Sequence, residues 1–247
     1  MNYKKLMPRL DPDRLPAHVG IIMDGNGRWA ARKHHPRMYG HRAGARAVRQ
    51  VVELGVELKL GCITFYAFST ENWSRPEEEV QGLLKLLKEF LVKEIPELHR
   101  QNIHVNILGS EARLDPAYLA EIRQIASITR HNTGLTVNMA FNYGGRTEIV
   151  EGIQKLVQQN ANNPAAITRL TPEDFSRYLY TAGQPDPDLI IRTSGESRIS
   201  NFLLWQSAYA EIYITETLWP DFDKTAFITA LLDYQGRNRR FGGVQSS

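Results

Sequence analysis

His18-Val-Gly-Ile-Ile-Met-Asp-Gly-Asn-Gly-Arg-Trp29 is an apolar run that passes straight into a glycine turn carrying one acid and one arginine. Val19 to Met23 suits a short buried strand. Gly25 and Gly27 permit positive φ and expose backbone N–H groups to an anion, and the polar helix that follows points its positive end at the same place. Gly25-Asn26-Gly27-Arg28-Trp29-Ala30 also fits the G-x-G-x-x-G/A fingerprint of dinucleotide-binding folds. Asp24 argues against that reading, because a carboxylate beside a pyrophosphate is repelled unless a cation lies between them. A Mg²⁺ ion bridging Asp24 to phosphate balances the charges. Arg28 adds a cation where a dinucleotide fold relies on backbone alone, so the stretch reads as a phosphate site with a metal.

The chain has 247 residues, enough for one well-buried α/β domain. Thirty Lys and Arg against 27 Asp and Glu give a net charge of +3. That balance argues against a nucleic-acid partner, while arginines near the glycine turn favour anionic substrates. The single cysteine, Cys62, lies in an apolar run. It excludes an internal disulfide and suits core packing in a reducing cytoplasm. No signal peptide is visible at the start, and no apolar run approaches the ~20 residues that span a bilayer. The expected location is cytoplasmic, with any membrane contact peripheral.

Residues 1 to 16, with three prolines and mixed charge, read as a loose leader. Arg37 to Leu54 has helical spacing at Ala47, Val48, Val51 and Val52. Arg37 and His41 fall at its positive end, where an anionic ligand would offset them. Cys62 to Phe68 is a second strand, followed by Ser69-Thr-Glu-Asn-Trp-Ser-Arg-Pro76. In an open parallel sheet the ligand crevice lies at the strands' carboxyl ends, where both polar clusters fall. Ser74 or Arg75 caps the next helix, with Pro76 in its first position. From Val80 to Ile95 that helix is apolar over far more than the ~100° needed to cover a sheet, so its surplus lines a greasy channel, packs on a partner or is buried in the core. Strands at Ile103 to Leu108, Leu135 to Phe141, Asp188 to Thr193 and from Glu211 through Ile214 alternate with helices. Together these features predict one α/β domain over residues 1–247, an open, mainly parallel six-stranded sheet surrounded by helices. Arg192-Thr-Ser-Gly-Glu-Ser-Arg-Ile-Ser200 suits a second oxyanion. There is no Walker lysine motif, no zinc-ligand spacing and no G-x-S-x-G elbow.

HVGIIMDGNGRWA, FSTENWSRP, NYGGR, RTSGESRISNFLLWQ and AEIYITETLWPDF stand here in the order they have in the cis-prenyltransferases, and from residue 17 to 243 the chain resembles that family. The resemblance implies a homodimer, Mg²⁺ dependence and a hydrophobic tunnel. It also implies repeated condensation of isopentenyl diphosphate onto farnesyl diphosphate. The product would be a long-chain Z-polyprenyl (undecaprenyl) diphosphate, the lipid carrier for cell-wall glycans. A non-catalytic partner subunit of such an enzyme would be expected to lack Asp24, and a dinucleotide enzyme would bind NAD rather than farnesyl diphosphate.

By the same resemblance, Asp24 is the acid that holds Mg²⁺ and assists departure of the allylic diphosphate. Gly25, Asn26, Gly27, Arg28, Arg37 and His41 cradle that diphosphate. Trp29, Ser69, Thr70, Glu71, Trp73 and Arg75 match substrate-contacting or loop positions, and Asn72 matches one that assists proton removal. Arg192, Arg198, Ile199 and Ser200 match the isopentenyl diphosphate pocket. Glu211 matches a second metal-associated acid. Arg240, in a C-terminal arm from 237 to 247, matches an element that reaches into the neighbouring subunit. Leu135, at the start of its strand and roughly 15 to 20 Å from the crevice at ~3.3 Å per residue, is the expected tunnel floor.

Overall fold

The computed structural model describes residues 3–238. Six parallel strands form one sheet in the order β3-β4-β2-β1-β5-β6. In chain order the elements are β1 (His18–Ile22), α1 (Asn26–Arg32), α2 (Arg37–Glu57), β2 (Cys62–Ser69), α3 (Glu77–Arg100), β3 (His104–Leu108), α4 (Pro116–Ser127), β4 (Thr136–Tyr143), α5 (Gly145–Gln159), α6 (Pro164–Ile167), α7 (Pro172–Ser176), β5 (Leu189–Thr193), β6 (Glu211–Thr215) and α8 (Lys224–Gly236). All six expected strands are present. β1 and β5 are buried along their whole length, as their unbroken apolar runs require of strands covered on both faces. β1 lies between β2 and β5, so its carboxyl end opens at the centre of the crevice.

The leader is not loose. It folds into short 3₁₀ turns whose Leu6 and Leu10 enter the main core, and Gln235 of α8 binds Asp11 through both its Oε1 and its Nε2. Its prolines start two of these turns instead of keeping the segment open. The helix after the second strand also begins later than expected. Thr70–Ser74 is a separate 3₁₀ turn closed by a Ser69/Asn72 capping box, and Pro76 is the N-cap of α3. Cys62 is buried in a polar chain with Asn138, Thr64 and Gln184, and burial pushes its thiol up to about 12, consistent with a packing role.

α1 and α2 meet so closely that only glycine fits between them. A Cβ on Gly40 would stand 2.0 Å from the Asn26 carbonyl oxygen, so the backbone of the glycine turn rests directly on α2. Gly40→Ala should therefore destabilise the fold by about 1–3 kcal/mol, since backbone rather than a flexible side chain must move. Urea unfolding of the variant beside the unaltered protein checks this.

Candidate active site

Asp24 follows β1, and its backbone carbonyl accepts from the Thr193 hydroxyl at 2.7 Å and the Trp219 N–H at 3.0 Å. Its carboxylate meets Arg192 of β5, whose Nε and Nη2 donate to Oδ2 at 3.0 and 2.5 Å. Arg192 Nη1 turns the other way, donating to Ser200 Oγ at 2.7 Å and to the Arg198 carbonyl. One guanidinium thus joins the glycine turn to the loop after β5. Gly25 is the N-cap of α1 at φ 103, a left-handed conformation that favours glycine. Gly27 differs from expectation: it lies in the first turn of α1, and its openness serves the approach of the Arg37 guanidinium, 3.3 Å from where a Cβ would stand. Asn26 Nδ2 pins the turn by donating to the Met23 carbonyl at 2.9 Å.

A second group forms where α2 and α3 begin. Glu79 Oε2 lies 3.3 Å from Arg37 Nε, and its Oε1 lies 2.9 Å from Arg75 Nη1 and 4.0 Å from His41 Nε2. Sequence reasoning assigned no site role to Glu79, because three consecutive glutamates in a helix's first turn read as complements to its dipole. Its partners, brought together by folding, make it the hub of two guanidinium groups and an imidazole. The anion expected at the start of α2 is thus supplied here by α3. His41 is mostly buried, and burial together with Arg75 lowers its pKa to about 4 despite Glu79, so the ring is neutral. A third group places Glu196 between Arg28 at 3.1 Å and Arg198, whose hydrogen bond holds Glu196 below the usual carboxylate range. Arg28, expected with Arg37 and His41, therefore belongs with Arg198; Ser194 Oγ accepts from it at 2.5 Å.

The first two groups open on a cavity of about 570 Å³ lined by Asp24, Gly25, Asn26, Gly27, Arg37, His41, Ser69, Glu71, Asn72, Arg75, Arg192 and Ser200 on its polar side. Its apolar wall includes Leu83, Leu86, Leu87 and Phe90 of α3 with Met139 and Phe141 of β4, so the surplus apolar face of α3 lines a channel. Asn201, also missed from sequence, lines the cavity and clamps Glu71: its Nδ2 donates to Glu71 Oε1 at 2.8 Å. Asn72 Oδ1 accepts from the Ser69 N–H at 3.1 Å, and Thr70 donates to Glu71.

Seven expected positions among the described residues are not part of this lining: Arg28, Thr70 and Arg198, whose partners are given above, and Trp29, Trp73, Ile199 and Glu211. The Trp29 ring stacks on Tyr39 and donates to Asp221, and Trp73 packs on Phe68 and donates to Asn142. Ile199 lines a small side cavity of about 70 Å³ with Glu196, Ser197 and Arg198. Glu211 sits at the amino end of β6, in register with Leu189 and through it with Val19, and its carboxylate binds Arg237 at 2.9 Å. Five residues of strand and turn, roughly 15 Å at ~3.3 Å each, separate that level from Asp24. The fold therefore does not bring the two acids together. Arg240 lies outside the described residues. Leu135 is buried beneath Gly55 and absent from the cavity walls, whereas Val137 and Met139, two and four residues further along its strand, line a second cavity. The walls of these two cavities thus stop short of Leu135.

A divalent cation fits this donor set at one place. Asp24 Oδ1 carries no hydrogen bond among the described residues while Oδ2 is held by Arg192. A single carboxylate oxygen at the mouth of a phosphate site is the kind of protein ligand Mg²⁺ takes alongside substrate phosphate and water.

The neutral, mostly buried His41 has a consequence for stability. In the unfolded chain it takes up a proton near its ordinary value of 6.5, whereas the folded protein resists until about 4. The unfolded state binds more protons in that window, so folding stability falls as pH drops through it. His41→Gln should remove that contribution, on the order of 3 kcal/mol by pH 4. Urea unfolding at pH 7 and pH 4.5 should show the variant losing less stability than the unaltered protein. Buried His18, also lowered, leaves a residual slope.

With this geometry in view, similarity to known proteins is informative. Residues 22–242 match the family described as "Putative undecaprenyl diphosphate synthase". An isoprenyl transferase of Heliobacterium mobile is 48% identical over 240 residues, covering 97% of this chain and 92% of its own. The ditrans,polycis-undecaprenyl-diphosphate synthase ((2E,6E)-farnesyl-diphosphate specific) of Haemophilus ducreyi is 48% identical over 235 residues, covering 95% of this chain and 97% of its own. Among solved structures, lavandulyl diphosphate synthase from Lavandula x intermedia, in complex with dimethylallyl diphosphate, superposes with a TM-score of 0.89 at 32% identity, over 93% of this chain and 99% of that one. A chain that shares this sequence along nearly its whole length, and this fold, belongs to the undecaprenyl diphosphate synthase family of prenyltransferases.

Proposed function

We propose that this prenyltransferase condenses isopentenyl diphosphate repeatedly onto farnesyl diphosphate in the presence of Mg²⁺, giving a long-chain Z-polyprenyl (undecaprenyl) diphosphate used as the carrier of cell-wall glycans. The observation that carries this reading is one cavity with cations and Asp24 at its mouth and a leucine and phenylalanine wall within. That layout suits an ionic head and a hydrocarbon tail. In each cycle the allylic C–O bond breaks and its electron pair leaves with the diphosphate. The isopentenyl double bond supplies the electrons of the new C–C bond, and a proton lost from the adjacent carbon restores a double bond.

Arg37, His41, Arg75 and the backbone N–H groups of the glycine turn hold the allylic diphosphate, and the two guanidinium charges and the N–H dipoles count for more as the leaving group becomes fully anionic. Arg192, Arg198 and Ser200 hold the isopentenyl diphosphate on the other side of Asp24. Asn72, fixed through Ser69, keeps a polar amide at the cavity wall where the proton departs. Asp24 would hold Mg²⁺ alongside substrate phosphate, and the bound ion would supply Lewis-acid stabilisation of the departing charge. The apolar wall excludes water from the allylic cation and gains ~0.8 kcal/mol for each CH₂ it buries.

The edge strand β6 exposes Ile212 and Ile214, a face suited to a second copy of the chain. Among the described residues no helix is long and apolar enough to cross a membrane, so the proposed membrane contact, at the cytoplasmic face, is peripheral.

Incubation with labelled isopentenyl diphosphate, farnesyl diphosphate and Mg²⁺, followed by lipid sizing, tests the reading. Absence of polyprenyl product would overturn it. Asp24→Ala should lower kcat by about two orders of magnitude or more with farnesyl diphosphate binding nearly unchanged, the pattern of a group acting mainly in the transition state. Retained turnover would remove Asp24 from the chemistry.

A further inference from the structure

Two cavities lie in series between α2 and α3. The larger shares Val48, Phe90 and Met139 with a second, of about 160 Å³, that continues toward β3 and the start of β4, where Val105 and Val137 form its wall. One part of that second cavity is not hydrocarbon. Arg49 of α2 reaches across to Glu94 of α3, its Nε donating to Oε2 at 3.0 Å and its Nη2 to Oε1. The Glu94 side chain is only 9% exposed and that of Arg49 43%, so the carboxylate is drawn inward and the guanidinium covers it from the solvent side. Glu94 stands one helical turn beyond Phe90, about 6 Å at 1.5 Å per residue. It is therefore the first charged group of α3 that a hydrocarbon meets on passing from the larger cavity into the smaller.

α2 and α3 are thus tied twice by ion pairs, through Glu79 at the head-group end and through Glu94 at the far end. Val48, Leu83, Leu87 and Phe90 line the space between the ties. Each added isoprene unit is favoured by burial of its carbons. A chain end that pushes past the far tie must part Arg49 from Glu94 and leave an inward carboxylate without its partner beside hydrocarbon, where the penalty for an unpaired charge is severe.

We propose that the Arg49–Glu94 pair is the stop that sets product length, closing the gap between α2 and α3 so that elongation ends when the growing hydrocarbon reaches it. The pair acts on the hydrocarbon's far end and touches neither diphosphate, so these are specificity-determining rather than catalytic residues. The inference rests on the elongating reading above.

The test uses the full-length chain with farnesyl diphosphate, labelled isopentenyl diphosphate and Mg²⁺, and reads the length distribution of the lipid. Arg49→Met/Glu94→Leu replaces the pair with apolar side chains and should shift the most abundant product longer by one or more isoprene units. The reversed pair, Arg49→Glu/Glu94→Arg, should return the distribution to that of the unaltered protein. An unchanged distribution in the folded apolar variant would overturn the proposal. So would a reversed pair that lengthens products as much as the apolar one, because packing rather than the charge pair would then set the limit. If the apolar variant does not give a cooperative thermal melt, Arg49→Gln/Glu94→Gln takes its place with the same two outcomes. Polyprenyl synthesis by the unaltered protein is read in the same assay, so failure of the elongating reading and failure of the stop are separate results.

Discussion

A guanidinium taken out of water has to be met by a carboxylate and by oxygen acceptors, or the charge is too costly to keep. Arg192 shows how completely that demand organises this site. Its side chain is 4% exposed, and it faces Asp24 on one side and Ser200 with the Arg198 carbonyl on the other. The ends of β1 and β5 and the loop beyond β5 are thereby held in one geometry. Removing either side leaves a buried charge short of partners, a loss of about 3–5 kcal/mol where the ion pair itself is broken. Parallel pairing brings these groups near one another, since Ile22 is in register with Arg192.

The same logic recurs more exposed to solvent. Glu79 gathers Arg37, Arg75 and His41, and Glu196 gathers Arg28 and Arg198. Each diphosphate position in the proposed reaction is bounded by a carboxylate already engaged with the cations the substrate needs. A diphosphate brings more charge and more acceptor oxygens than one carboxylate, so it competes for the arginines. The carboxylates meanwhile hold the arginines close to useful positions, which reduces the ordering cost of binding.

Much of this was legible in the sequence because the strands announce themselves. Val19 to Met23 and Cys62 to Phe68 are apolar, β-branched or aromatic, and short, and each runs into a polar cluster that the parallel topology places at one edge. What escaped reading depends on distances between elements. Glu79 has one near partner in Arg75, but Arg37 and His41 reach it from another helix, and Asn201 meets Glu71 far back along the chain, so no local pattern marks either as part of a site. Trp29 and Trp73 have their indole N–H groups occupied by Asp221 and Asn142, which only the folded structure reveals. Glu211 follows a strand-opening pattern correctly, yet a parallel strand opens at the end away from the crevice, so register alone separates it from Asp24. Prolines and mixed charge make the leader look loose in sequence, yet two of its prolines sit in tight turns, and Leu6 and Leu10 beside them supply the apolar surface that anchors those turns.

α2 and α3 each do two things at once. Their amino-terminal turns carry Arg37, His41 and Glu79, while further along the same rods form the walls of both cavities. Glu79 couples their starting ends, so whatever loosens that junction changes the spacing of the walls downstream. In the proposed reaction, primer recognition and hydrocarbon capacity are therefore mechanically linked traits. A lineage selected for a different lipid would find its affinity for the starting substrate drifting as well, and compensating changes would be expected along these two helices rather than in the sheet.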